Sequence, residues 1–350
     1  MLGDRIRMLR QRQGLDLGDL AARSKIAVEV LSRLERNEIC EIPHRDILSL
    51  AIALGVRAAH DFGHLLSLNG VRRRFRAYNV GRPKTGTTSV AHIFSNYRSR
   101  HEFKSFDMKR LIGRHIRGEV SDTELRTFVL QRDSLGGLEM DSSSFNHYYL
   151  DILVAEFPWA KYVFTIRDCY SWVDSVTNFA LMKRRRYADD GAGFDAYMVD
   201  EDRHFYSTLD RMDFGFPPGR KMDREQMVAA LPDYIDAMLT SWTDVNGRIL
   251  SLLPPENSLI LRTHEITSRL DDLARFIGVP RETLNAARAH SRKGTKIIEP
   301  LRNHDPGFLK RKFEQHCGPL MERFFPGYAF RDYLEGRKPP PASISPLTPS

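Results

Sequence analysis

The nine residues Gly81-Arg82-Pro83-Lys84-Thr85-Gly86-Thr87-Thr88-Ser89 constrain this chain more than any others. A short apolar strand pattern, Phe75 to Val80, precedes them, and a helical pattern, Thr88 to Tyr97, follows. A glycine-bracketed turn between a strand and a helix lets backbone N–H groups close around an anion. Lys84 adds a full positive charge, and the hydroxyls of Thr85, Thr87, Thr88 and Ser89 add further donors. The common phosphate loop reads G-x-x-x-x-G-K-[ST]. Gly81 and Gly86 keep its separation, but Thr87 stands in the lysine position and Lys84 lies inside the loop. Nucleoside triphosphate chemistry relies on that displaced lysine, so the variant argues against an ATPase or a kinase.

The chain around the loop alternates strand and helix. Lys161 to Ile166 (KYVFTI) reads as a buried strand and Trp172 to Leu181 as a helix. Ser258 to Leu261 reads as another strand, and Leu270 to Ile277 as another helix. This order predicts an α/β domain with a P-loop-like parallel sheet and flanking helices, whose ligands sit at the carboxyl ends of the strands. The boundaries are set at 1–70 for a small all-α module, 71–335 for the α/β domain and 336–350 for a disordered Pro/Ser-rich tail (GRKPPPASISPLTPS). The stretch 183–230, rich in charge and aromatics, reads as an insertion or lid. Its Tyr187, Phe194, Tyr197, Phe205 and Tyr206 line a cleft or form the lid's own core. Its basic run Lys183 to Arg186 either greets an anion or is a solvated face.

The formal charge of +8, from 53 basic and 45 acidic residues, favours an anionic partner without naming one. Cys40, Cys169 and Cys317 are far apart and form no CxxC pair, which argues against a disulfide framework or a structural zinc site. With no apolar run of bilayer length and no signal-like start, the expectation is a soluble, cytoplasmic protein without a membrane or metal role.

PKTGTTS resembles the 5′-phosphosulfate loop of sulfotransferases that use 3′-phosphoadenosine 5′-phosphosulfate (PAPS). The resemblance covers about residues 75–330 and implies the sulfotransferase fold, PAPS as sulfuryl donor and no metal. It implies that Arg82, Pro83, Lys84, Thr85, Gly86, Thr87, Thr88 and Ser89 hold the 5′ end, with Lys84 at the bridging oxygen. The family fixes the 3′-phosphate with an Arg at a strand end and a Ser eight residues on. Arg167 and Ser175 match that spacing behind KYVFTI. Arg292-Lys293-Gly294 resembles the family's late RKG element, which closes over the same phosphate. Leu261 to Ile266, followed by LARFIGVP, resembles its strand-to-helix element, with Thr263 in place of the usual aromatic.

Sulfuryl transfer to a hydroxyl profits from a general base. The candidates are His101, Glu102, Glu139, Asp141 and His147. Glu102, 18 residues after Lys84, is preferred by resemblance to glycan- and protein-directed branches, and Asp141 is the second choice. His101 is adjacent to Glu102, but strand alternation predicts that it faces the other way. His147, in an aromatic stretch, reads as a core or rim residue.

Residues 4–57 resemble the Cro/repressor-type helix-turn-helix family, on Ile6, Arg7, Leu9, Arg10, Gly14, Leu20, Ala21, Ile26, Val30, Leu31, Leu34, Glu35 and Leu54-Gly55-Val56. The implied recognition helix, Ala27 to Arg36, opens Ala-Val-Glu. Residues 1–70 carry ten basic and nine acidic residues, little for a DNA-binding face. A docking, dimerising or regulatory role fits that balance better, although Arg7, Arg10, Arg12, Lys25, Arg33 and Arg36 form a candidate patch for DNA. Two readings follow: a PAPS-dependent sulfotransferase acting on a small-molecule or glycosylated hydroxyl acceptor, or a DNA-binding regulator whose sulfotransferase-like domain senses the nucleotide without turnover.

Overall fold

The structure is a computed structural model that describes residues 2–36, 38–39, 44–55, 73–188, 224–289 and 296–341. Four helices, Leu2–Arg12, Leu17–Ser24, Val28–Glu35 and His44–Ala53, open the chain. Ile6, Leu20, Leu31, Leu34 and Leu54 fill their shared core. Arg10 spans that core to the buried Glu35, donating from Nε and Nη2 to the two carboxylate oxygens at 2.6 and 2.7 Å.

Five parallel strands follow: β1 Ala77–Asn79, β2 Ser99–His101, β3 Met140–Ser142, β4 Lys161–Ile166 and β5 Ser258–Arg262. Their order across the sheet is β2-β3-β1-β4-β5. From β1 the chain first moves past β3 to the β2 edge, and after β3 it crosses back to β4 on the other side of β1. The carboxyl end of β1 is therefore the point where the winding reverses, where open α/β sheets leave a crevice for ligands.

Strand alternation sends successive side chains to opposite faces. Tyr78, Tyr162, Phe164, Ile166 and Ile260 join one core with Trp172 and Trp242, from helices Cys169–Ala188 and Leu231–Leu252. Ala77, Val163 and Leu261 join the other, under helices Thr87–Ile93 and Leu270–Ile277. Asn79 and Thr165 share this second face by parity, but lie where the loop rests. The first helix stops at Ile93 rather than Tyr97 because the chain turns there, with the Tyr97 N–H donating to the Phe94 carbonyl at 2.9 Å.

Beneath β1 the carboxylate of Asp133 takes Arg73 Nη1 at 3.0 Å, Arg76 Nη2 at 2.8 Å and the Tyr78 hydroxyl at 2.6 Å. Both arginines are buried. In the stretch assigned to the tail, Pro339 is buried and the Pro340 carbonyl accepts from Arg262 Nη1 at 3.1 Å. Among the described residues no helix is long and apolar enough to cross a membrane. Residues 189–223, with Phe194, Tyr197, Phe205 and Tyr206 of the expected lid, lie outside the described residues, as do the side chains of Lys183 to Tyr187.

Two substitutions test this framework. Asp133→Asn removes the charge that offsets two buried guanidiniums and is expected to cost about 3–5 kcal/mol in urea unfolding. Gly81→Ala places a Cβ 2.0 Å from Thr165 Oγ1 and 2.6 Å from the Thr165 carbonyl. It is expected to cost about 1–3 kcal/mol, read as a lowered midpoint with an unchanged slope. An unaltered midpoint in either variant contradicts the packing described.

Candidate active site

All five strands end at the same crevice, and each contributes a polar side chain there. Gly81, after β1, donates its N–H to Asn79 Oδ1 at 3.2 Å. The loop then turns at Lys84 (φ 69°) and Gly86 (φ 106°). Left-handed backbone is costly for a residue with a side chain, so its use at Lys84 marks a conformation the surroundings enforce.

The surroundings act on the loop carbonyls, and six consecutive ones are bonded. Arg82 O accepts from Thr85 Oγ1 at 2.7 Å, and Pro83 O from Trp172 Nε1 at 3.0 Å. Lys84 O accepts from Arg167 Nη1 at 3.3 Å, and Thr85 O from Thr263 Oγ1 at 2.7 Å. Gly86 O accepts from the Val90 N–H at 3.0 Å, and Thr87 O from Ser142 Oγ at 2.6 Å. Acceptors are thereby consumed on the outside of the turn. The first turn of the following helix has no intrahelical acceptors for its N–H groups. What the loop offers a ligand is donors, the electrostatics of an anion cradle.

The side chains expected to hold the donor divide into two groups. Arg82 is buried, stacks on Trp172 at 4.4 Å and donates to Ser241 Oγ at 2.9 Å. Thr85 is also buried, its hydroxyl 3.0 Å from Thr165 Oγ1. Both brace the loop from behind. Lys84 lies with its ammonium 4.4 Å over the Phe179 ring, and Thr87 and Thr88 open the helix. Pro83 and Ser89 are half-buried.

Arg167, directly after β4, is half-buried and donates from Nε to Ser171 Oγ at 2.9 Å. Burial lowers its pKa, while Asp168 and Asp174 act the other way. Ser171, Ser175 and Phe179 recur every fourth residue and so share one helix face. Ser171 touches Arg167 and Phe179 underlies Lys84, which puts Ser175 between them on the face turned to the loop. Arg292, Lys293 and Gly294 lie outside the described residues. The chain beyond them is tied to the same helix, because the N–H groups of Ile297 and Ile298 donate to Asn178 Oδ1 at 2.6 and 2.9 Å.

Glu102 follows β2 with φ 54°, its Oε1 accepting from Ser144 Oγ at 2.7 Å. That left-handed turn breaks the strand alternation, and this corrects the expectation that His101 faces away. His101 Nε2 lies 3.8 Å from Glu102 Oε1. Asp141 is placed otherwise: it is buried on β3, and both of its oxygens are bonded to the buried Arg132. Despite the cost of burying Arg132, the Asp141 carboxylate holds that guanidinium above its usual value. A carboxylate committed in this way is a strut, which removes the ground for the second choice of base. Glu139 is likewise spent on Arg74, with two contacts of 2.8 Å, and His147 is buried.

Sequence reading did not single out Ser142, Ser144, Thr165, Ser171 or Trp172. Their types are ordinary, and only the strand order brings them to the crevice. Among the described residues no three His, Cys, Asp or Glu side chains gather as metal ligands.

A family model described as a sulfotransferase domain matches residues 79–282, more than half of the chain. No curated protein matches it in sequence. Among solved structures, the crystal structure of a sulfotransferase from Alicyclobacillus acidocaldarius is 14% identical with a TM-score of 0.38, covering 76% of this chain and 97% of that one. The sulfotransferase domain from the curacin biosynthetic pathway is 14% identical with a TM-score of 0.32, covering 71% of this chain and 98% of its own. On the family match, which spans the loop and all but the first residues of the sheet, the chain belongs to the sulfotransferase family.

Proposed function

We propose that this sulfotransferase uses PAPS as donor and sulfates a hydroxyl of a small molecule or glycosylated metabolite. The observation that carries the donor reading is the loop of residues 82–87, whose carbonyls are all bonded while Lys84 and the helix-opening N–H groups border it. Such a donor set suits a ligand with several negative charges, and its residues fit the nucleotide. When bound, PAPS supplies a sulfuryl group on a phosphate leaving group.

Lys84 stabilises the charge that grows on the leaving oxygen, in a site where fixed donors outperform water. Gly86, Thr87, Thr88 and Ser89 hold the 5′ phosphate from the helix start. Arg167, with Ser175 on the facing helix, meets the 3′-phosphate, and Arg292, Lys293 and Gly294 complete that end. Glu102 takes the proton of the acceptor hydroxyl, with Ser144 fixing its free rotation. In this reading residues 71–335 are the catalytic domain and 336–350 its tail. Residues 1–70 are a helix-turn-helix module used for docking, and the buried free thiols of Cys169 and Cys317 suit a reducing, cytoplasmic setting.

Calorimetry with 3′,5′-adenosine bisphosphate, the desulfated product, tests the donor site. The wild type is expected to bind. Lys84→Ala and Arg167→Ala are each expected to weaken binding about tenfold or more, since each removes a charge-assisted contact of about 1.5–3 kcal/mol. ATP, lacking the 3′-phosphate, is expected to bind far less well. No binding by the wild type overturns the donor assignment. Glu102→Gln, assayed with a hydroxyl acceptor that supports turnover, is expected to lower the rate by roughly 10²–10⁴ while the nucleotide still binds.

A further inference from the structure

His101 has no part in the mechanism above, yet its ring nitrogen is where the donor loop and the proposed base meet. Nε2 lies 3.2 Å from Thr87 Oγ1 and 3.2 Å from Thr88 Oγ1. The same atom is 3.8 Å from Glu102 Oε1. β2 delivers the ring to the start of the loop helix, and the left-handed turn at Glu102 brings the carboxylate back to it.

A ring nitrogen offers one hydrogen or one lone pair, never both. A bare Nε2 draws the threonine hydroxyl hydrogens to itself, and both oxygens then turn lone pairs toward the loop interior. An Nε2 that carries a hydrogen points it at a threonine oxygen, and that hydroxyl's own hydrogen is released for another acceptor. Only the second arrangement adds donors to a cradle whose other groups are already donors. The Glu102 carboxylate favours it too, because a nearby negative charge is better matched by an N–H than by a lone pair.

We propose that His101 is a positioning residue of the donor site: its Nε2–H donates to the Thr87 or Thr88 hydroxyl, which frees that hydroxyl's hydrogen for the bound 5′-phosphosulfate, while the nearby Glu102 carboxylate favours this form of the ring. This inference rests on the PAPS reading. Linkage makes it reciprocal, so a nucleotide in the loop selects the Nε2–H form. A residue that merely pinned β2 to the helix would show no such selection.

The test is a titration of the full chain, labelled with ¹⁵N-histidine, with 3′,5′-adenosine bisphosphate, the His101 resonances being assigned from their loss in His101→Gln. The Nε2 signal is expected to take the protonated, pyrrole-type position in the complex. By calorimetry His101→Leu is expected to bind the nucleotide about tenfold more weakly. His101→Gln, whose amide N–H can donate, is expected to stay within about threefold of the wild type. An Nε2 that stays bare in the complex overturns the inference, as does a His101→Leu variant that binds like the wild type. Should His101→Leu fail to fold, the wild-type spectrum decides alone. Binding lost in Lys84→Ala but indifferent to His101 overturns this inference and leaves the donor reading standing. A wild type that binds no nucleotide overturns both.

Discussion

The site depends on one constraint: the carbonyls of residues 82–87 have to be bonded outward, or the loop would present acceptors to its ligand. Two of those bonds are local, from Thr85 Oγ1 and the Val90 N–H, and four come from distant elements. Thr263 comes from the end of β5, Arg167 from the end of β4, Ser142 from β3 and Trp172 from the helix that follows β4. None of these side chains is near the loop in sequence. The loop's conformation is thus a property of the assembled sheet, and the left-handed backbone at Lys84 persists because the strands on either side leave it no alternative.

A second regularity concerns where the carboxylates are. Asp133, Glu139 and Asp141 lie beneath and beside β1 and β3, and they absorb Arg73, Arg76, Arg74 and Arg132. Arg167 instead bonds a hydroxyl and a carbonyl, and burial lowers its pKa because no carboxylate contact compensates fully. The sheet thus separates its charges. Four framework arginines meet carboxylates, while Arg167 at the crevice meets neutral oxygens. An anion placed there would offset the burial cost of Arg167.

The parts legible in the sequence were those with local signals. The loop shows itself by its glycines, β4 by five consecutive buried residues, and the helix Leu270–Ile277 by its period. β2 and β3 were not legible, since three residues such as Ser99–His101 or Met140–Ser142 carry no apolar alternation. The long helix Leu231–Leu252 has a regular buried face, but it follows directly on the charged, irregular stretch 183–230, which gives no local signal for its start. Asp141 looked like a candidate base from its place before the Arg167 strand. Its partner Arg132 lies nine residues earlier on a helix, and no spacing rule pairs those two positions. The facing of His101 was the part that alternation got wrong, because alternation holds only while the strand lasts and β2 ends at His101.

The same partner arithmetic bears on the four N-terminal helices. Six basic residues made up the patch that sequence offered to DNA, and the fold engages four of them with acidic side chains. Arg10 donates from Nε and Nη2 to the two oxygens of the buried Glu35, and Arg7 Nε lies 3.8 Å from Glu35 Oε2. Arg36 donates from Nε to Glu38 Oε1 at 2.6 Å, and Arg33 lies 3.8 Å from the same carboxylate. The Arg33 and Arg36 pairs are exposed and give up little when a phosphate replaces the carboxylate, so the restraint on phosphate contacts falls on Arg10. Arg10 would have to abandon a buried carboxylate, at a cost that a surface phosphate contact does not return. Meanwhile Val28, at the head of the helix expected to recognise bases, leaves 47% of its surface exposed. An apolar side chain in that place adds no donor to the face that would meet a phosphate.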